Sequence, residues 1–162
     1  MKILGIDPGS INCGYGLIQK TSSNNTIKYL SSGRIVVSVR KDLYIRLREI
    51  YSSLTEVISE YKPDEIAIEK IFFAKGTKAA LNLGHTRGVV MLAAALTELP
   101  IYEYSALEVK KAVVGYGRAD KNQVQMMVRE ILKINHPLSP DSADALALAL
   151  CHINNKKNDT QW

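Results

Sequence analysis

Cysteine is scarce: Cys13 and Cys151 are the only two in 162 residues. They form no CxxC pair and have no histidine at ligand spacing, which excludes a disulfide framework and a cysteine-based metal site. Both read as small buried or half-buried thiols. The three histidines, His85, His136 and His152, are scattered and have no partner at ligand spacing. No Ser–His or Cys–His arrangement offers a covalent nucleophile. Long apolar runs are missing too, and nothing approaches the roughly 20 residues that cross a bilayer. The stretch MKILGIDPGS has one lysine and then an acid where a signal peptide would carry its apolar run, so a cytoplasmic protein without membrane contact is expected. There is no internal repeat and no low-complexity linker. The length suits one domain, expected over 1–154, with 155–162 as a frayed polar tail.

What is present is an ordinary globular composition, 46% hydrophobic, with a formal charge of +5 and an isoelectric point near 9.2. That basic excess permits a polyanionic partner without proving one. Lys2 to Asp7 is a short apolar run that ends in a carboxylate and meets Pro8-Gly9-Ser10, a buried strand stopping at a turn. A second strand is expected at Gly14–Ile18, its glycines marking close backbone approach. A hairpin loop at Ser22–Asn25 and a third strand over Ile27–Val37 follow. Leu43, Leu47, Ile50, Leu54, Val57 and Ile58 recur at helical spacing, with Asp42 placed to cap and Lys62-Pro63 to stop the helix. Glu65–Glu69 reads as a strand that again ends in a carboxylate, Ala79–Leu96 as an Ala-rich helix, and Ile101–Tyr104 as the last strand. Helices are expected at about 106–114, 121–133 and 141–154. The fold class is α/β, a mixed sheet flanked by helices.

Carboxylates fall where chemistry is done. Asp7 and Glu69 each close a strand, and ligands of open α/β sheets gather at that edge. Asp141 and Asp144 are three apart in the first turn of the last helix and so share a face. Taken singly, each has a structural explanation: Asp7 as a turn former, Glu69 as a solvated strand end, and Asp141 and Asp144 as acids favoured at a helix N-terminus behind Pro140. Four together would repel one another, which points to cations. Mg²⁺ takes near-octahedral oxygen coordination, and two such ions about 3.5–4 Å apart serve phosphodiester hydrolysis.

These residues carry a family pattern. Gly5-Ile6-Asp7-Pro8-Gly9-Ser10 with Gly14-Tyr15-Gly16 resembles the first motif of the RuvC Holliday-junction resolvases. Ala67-Ile68-Glu69 with Phe72 and Ala74-Lys75 resembles the second acidic motif. Gly115–Lys121 with Gln123-Val124-Gln125 is similar to the basic start of a helix, and Asp141–Ala147 to the last motif. The matches run in order from Lys2 to about His152. One departure is Lys70, which follows the second acid where some relatives carry a neutral residue.

The resemblance implies a ribonuclease H-like fold with a five-stranded sheet, antiparallel through its first three strands and parallel thereafter. It implies catalytic and metal-binding roles for Asp7, Glu69, Asp141 and Asp144, which would hold two Mg²⁺ that Mn²⁺ can replace. Lys110 and Lys121 would lie near the scissile phosphate, with Lys121 also counted as catalytic. Phe72 would meet unstacked bases, and Lys75 and Arg118 would be further DNA contacts. By their residue type alone, Phe72 and Phe73 fit a core position as well as a stacking wedge. The implied partners are four-way junction DNA, a second copy of the chain and a RuvA–RuvB branch-migration complex. A two-fold dimer suits a junction that must be nicked on two strands. The Ala-rich helix suits either a subunit contact or the core, and Glu103 suits solvent or a lysine partner. Rival readings are a nuclease acting on RNA–DNA hybrids or other branched DNA, a non-catalytic junction-binding dimer, and an ATPase of the actin and sugar-kinase group, which needs a second lobe this length does not hold.

Overall fold

The computed structural model describes residues 1–21, 26–70 and 77–159. Strand β1 (Lys2–Asp7) lies at the centre of a five-stranded sheet. It pairs antiparallel with β2 (Asn12–Lys20), which pairs antiparallel with β3 (Ile27–Val36). On its other side β4 (Glu65–Glu69) and then β5 (Ile101–Tyr104) run parallel to it, giving the order β3-β2-β1-β4-β5. The mixed sheet is the expected one. The hairpin loop expected at Ser22–Asn25 lies outside the described residues.

Strand alternation sorts the side chains into two cores. Leu4, Ile6, Ile66 and Ile68 face α1 (Leu43–Tyr61) and α2 (Thr77–Leu96), meeting Ile50, Leu54, Val90 and Ala93. Ile3 and Ala67 face the opposite way, toward α3 (Ala106–Val114), α4 (Lys121–Leu132) and α5 (Pro140–Asp159). By the same alternation Asp7 and Glu69 share the α5 side.

Helix α5 rests almost on the sheet backbone. A Cβ at Gly5 would stand 1.8 Å from the Ala145 carbonyl oxygen, one at Gly14 2.2 Å from that of Asp141, and one at Gly16 2.6 Å from Leu146 Cγ. Gly5 and Gly16 are cross-strand partners, so the glycines form a groove across β1 and β2 in which the helix lies. The helix is buried accordingly, with Ala143 and Ala145–Cys151 at most 3% exposed.

A second fastening lies two turns along α5. Tyr104 Oη stands 2.6 Å from His152 Nδ1, and His152 Nε2 stands 2.5 Å from Glu65 Oε2. Lys156 closes the chain on Glu65 Oε1. Burial holds the imidazole below its usual pKa. A neutral ring that accepts from the tyrosine and donates to the carboxylate satisfies every partner. Burial would raise the Glu65 pKa, but hydrogen bonds from Lys156 and His152 outweigh it and hold the carboxyl low.

Three expectations change. Helix α5 runs on to Asp159, past the end expected at 154, because its polar residues have partners that only the tertiary structure supplies. Asn154 donates to the Ala112 carbonyl at 3.0 Å, besides Lys156 on Glu65. Asp42 precedes α1 but makes no side-chain cap, and the helix continues to Tyr61 before Lys62 turns left-handed at φ 48° ahead of Pro63. Glu103 pairs with Arg87 at 2.5 Å and not with a lysine.

Candidate active site

The carboxyl ends of β1 and β4 lie side by side because these strands are parallel and Ile6 is in register with Ile68. Asp7 and Glu69 are therefore adjacent rungs, and Pro8-Gly9 turns the chain away immediately afterwards. The glycine groove brings the first turns of α5 over the same edge, with Ser139 Oγ accepting from the Ser142 amide at 3.2 Å to start the helix. Asp7, Glu69 and Asp144 line one cleft of about 380 Å³, together with Lys110, Lys121 and apolar Leu83, Val109 and Val124. Asp141 stands one strand over: its Cβ would be 2.9 Å from a side chain at Gly14, the residue paired with Asp7.

The electrostatics are those of a crowded anionic site. Burial first, then the charges of Asp144, Glu69 and Asp141, push Asp7 from 3.8 up to about 7, with Lys121 pulling the other way. Lys121 opens α4 behind a capping box made by Asp120 and Gln123. Its ammonium lies 3.3 Å from Asp144 Oδ2 on a side chain that is 78% exposed. The neighbouring Asp144 charge raises its pKa. On the other flank Arg34 Nη1 lies 3.6 Å from Asp141 Oδ2.

Among the described residues, no three His, Cys, Asp or Glu side chains converge tightly enough to grip an ion as they stand. Two of the acids instead lean on the cations at either flank. The donors are nevertheless all hard carboxylate oxygens, the ligand type that a divalent cation such as Mg²⁺ takes. The raised Asp7 pKa comes from burial and from repulsion by the neighbouring acids, and a bound positive charge would relieve both. Thiolate chemistry is absent here, since burial pushes Cys13 and Cys151 up to about 12.

The sequence-predicted residues are thus largely gathered. Asp7, Glu69, Asp144, Lys110 and Lys121 share the cleft, and Asp141 is beside it. Arg118 is exposed just ahead of α4 and does not line the cleft. Phe72, Phe73 and Lys75 lie outside the described residues. Lys70, the departure from the family pattern, pairs with Glu108 at 3.7 Å. Two groups escaped the sequence reading. Arg34 was one basic residue in an alternating strand, and its approach to Asp141 depends on cross-strand register. His152 reads from the sequence as unpartnered, and its partners come from positions 65 and 104.

The family model described as "Crossover junction endodeoxyribonuclease RuvC" matches residues 3–152. A crossover junction endodeoxyribonuclease RuvC of Syntrophotalea carbinolica is 50% identical over 154 residues, covering 95% of this chain and 94% of its relative. Among solved structures, Thermus thermophilus RuvC in complex with Holliday junction substrate superposes with a TM-score of 0.91 at 32% identity, covering 99% of this chain and 97% of the other. A second Thermus thermophilus RuvC structure gives 0.89 at 31% identity, with 99% and 98% covered. The mixed sheet and its flanking helices are the ribonuclease H-like architecture that these proteins share, and the chain belongs to the RuvC family of crossover junction endodeoxyribonucleases.

Proposed function

We propose that this protein resolves four-way DNA junctions by paired symmetric nicks in recombination and repair, as a Mg²⁺-dependent endonuclease acting as a homodimer. One observation carries the chemistry: Asp7, Glu69 and Asp144 meet in one cleft with Lys110 and Lys121 in its wall. The substrate is supported by the full-length likeness to a RuvC solved with Holliday junction substrate.

Two Mg²⁺ (or Mn²⁺) held among Asp7, Glu69, Asp141 and Asp144 would activate the attacking water and stabilise the leaving 3′ oxygen, giving 5′-phosphate and 3′-hydroxyl ends. The chain's own residues do the rest. The carboxylate of Asp7 must be ionised to serve, and its neighbours oppose that until positive charge arrives. Lys121, at the N-terminus of α4, adds its ammonium to the helix's positive end, a pairing suited to a phosphate. Lys110 extends the same positive wall from α3. Leu83, Val109 and Val124 give the cleft an apolar wall.

The dimer is supported by α2, which is apolar on two sides. Its inner face buries Val90, Ala93 and Ala94 at 0% exposure, while Leu81, Leu92 and Leu96 stand 59%, 53% and 63% exposed. Spacings of 11 and four residues put these leucines on one stripe, which passes the bare Gly84 and Gly88. Ala93 and Ala94 therefore serve the core, and the leucine stripe is the surface that a second copy would cover. No described helix is long and apolar enough to cross a membrane. A cytoplasmic enzyme working with a RuvA–RuvB branch-migration complex completes the proposal.

The test is cleavage of a mobile four-way junction, with and without Mg²⁺, beside plain duplex and an RNA–DNA hybrid. Paired nicks in the junction alone, and only with metal, are expected. Metal-dependent cutting of the hybrid would keep the acidic site and overturn the substrate. Junction binding without cutting under any divalent cation would make the protein a non-catalytic binder.

A further inference from the structure

We propose that Arg34 is a DNA-phosphate contact on the β3 flank of the acidic site, opposite Lys121; this rests on the DNA-cleaving function proposed above. Arg34 is in register with Gly14, and Gly14 with Asp7, so the three form one cross-strand row. Residues directly opposite in a sheet point to the same face. Their neighbours Cys13 and Ile35 turn into the core beneath α1, which leaves Arg34 on the α5 side with the carboxylates. Gly14 between them has no side chain, so the guanidinium reaches past it toward the start of α5.

The contact that it makes there is loose. Nη1 lies 3.6 Å from Asp141 Oδ2, beyond hydrogen-bond length, and the side chain is 43% exposed. An ion pair this long and this wet does little to hold a fold. A guanidinium carries five donors in a flat fork that matches a phosphate, and one loose carboxylate leaves most of that capacity facing solvent. The site thus has a cation on each side of its carboxylates: Lys121 against Asp144 and Arg34 against Asp141. A strand laid across this edge passes the lysines of α3 and α4 on one side of Asp7 and Arg34 on the other. Arg34 rests beside Asp141 in the free protein and turns its fork to a backbone phosphate in the complex.

The test is junction binding in EDTA across a KCl series, comparing wild type with Arg34→Gln and Arg34→Lys. One lost phosphate contact lowers the slope of log K against log salt by about 0.9 and weakens binding about eightfold at 0.1 M, the factor being 0.1 raised to −0.9. Arg34→Gln is expected to show both changes and Arg34→Lys to keep the slope, which also separates lost charge from damaged folding. A wild-type slope in Arg34→Gln, with only the Mg²⁺ requirement for cleavage altered, would overturn the proposal and leave Arg34 as a counter-ion to Asp141. If wild type shows no preference for the junction over duplex, the junction reading fails. The slope comparison on the duplex then still decides Arg34.

Discussion

Replacing Asp7 by asparagine should stabilise the protein while abolishing cleavage. Its carboxyl is shifted from 3.8 to about 7 by burial and three acidic neighbours. An acid whose folded pKa lies above its unfolded one is penalised once it ionises. The penalty is absent below pH 3.8, grows between 3.8 and 7, and is complete above 7. Three units at about 1.4 kcal/mol each give about 4 kcal/mol, and relaxation of the fold with water entering the open cleft reduces this to about 2 kcal/mol. Asparagine keeps the shape and removes the charge. At pH 8 in EDTA, Asp7→Asn should therefore melt about 4–8 °C above wild type, as expected for about 2 kcal/mol in a domain of this size. The gap should shrink toward pH 4, and saturating Mg²⁺ should close it by stabilising wild type alone. Junction binding should survive, because Lys and Arg carry it. Equal or lower stability of the variant at pH 8 in EDTA would refute the burial and repulsion that raise the Asp7 pKa. Loss of binding together with cutting would make Asp7 structural.

Three further outcomes are expected. Lys121→Ala should slow cleavage and lower the salt slope of junction binding by about 0.9, one phosphate contact; an unchanged single-turnover rate would remove Lys121 from the site. Gly5→Ala should cost at least about 3 kcal/mol in urea unfolding, at the upper end of overpacking, since the added carbon meets the backbone of α5 and not a movable side chain; a variant as stable as wild type would mean that α5 is not seated on the glycines. Acid should weaken the Tyr104–His152–Glu65 fastening, because both His152 and Glu65 have lowered folded pKa values. The unfolded chain then binds the extra protons, so stability should fall as pH drops below about 6.5 and again below about 4.5. Measured in the Asp7→Asn background, where the opposing Asp7 contribution is gone, a flat profile from pH 7 to 5 would contradict a neutral buried imidazole.

The sheet and its helices were legible because their signals are local. Alternating Ile66 and Ile68, the helical spacing from Leu43 to Ile58 and the Pro8-Gly9 stop each operate within a few residues, and the structure follows them. The carboxylates could be nominated for a related reason. Strand ends and helix starts can be read from the chain, and the edge of an open α/β sheet is where they collect. Local signals failed at the ends. The polar residues after 154 read as a tail, yet Lys156 is held by Glu65, 91 residues away. Asp42 is a favoured capping type, and still its side chain makes no cap.

The glycines of β1 and β2 mark where local reading passes into tertiary reading. Gly5, Gly14 and Gly16 announce that something approaches the backbone closely, but not what approaches. Once α5 is known to be the occupant, their positions dictate much of the site. Gly14 is opposite Asp7 on one side and Arg34 on the other. The helix turn seated on it carries Asp141, and the next carries Asp144 toward Lys121. Asp7, Asp141 and Arg34 therefore share one determinant, the register of β1 with β2 and of β2 with β3, while Glu69 joins them through the register of β1 with β4. A slip of one residue in either pairing would turn Asp7 or Arg34 to the opposite face of the sheet. That dependence is why four carboxylates could be picked from the sequence while Arg34, 3.6 Å from Asp141, could not.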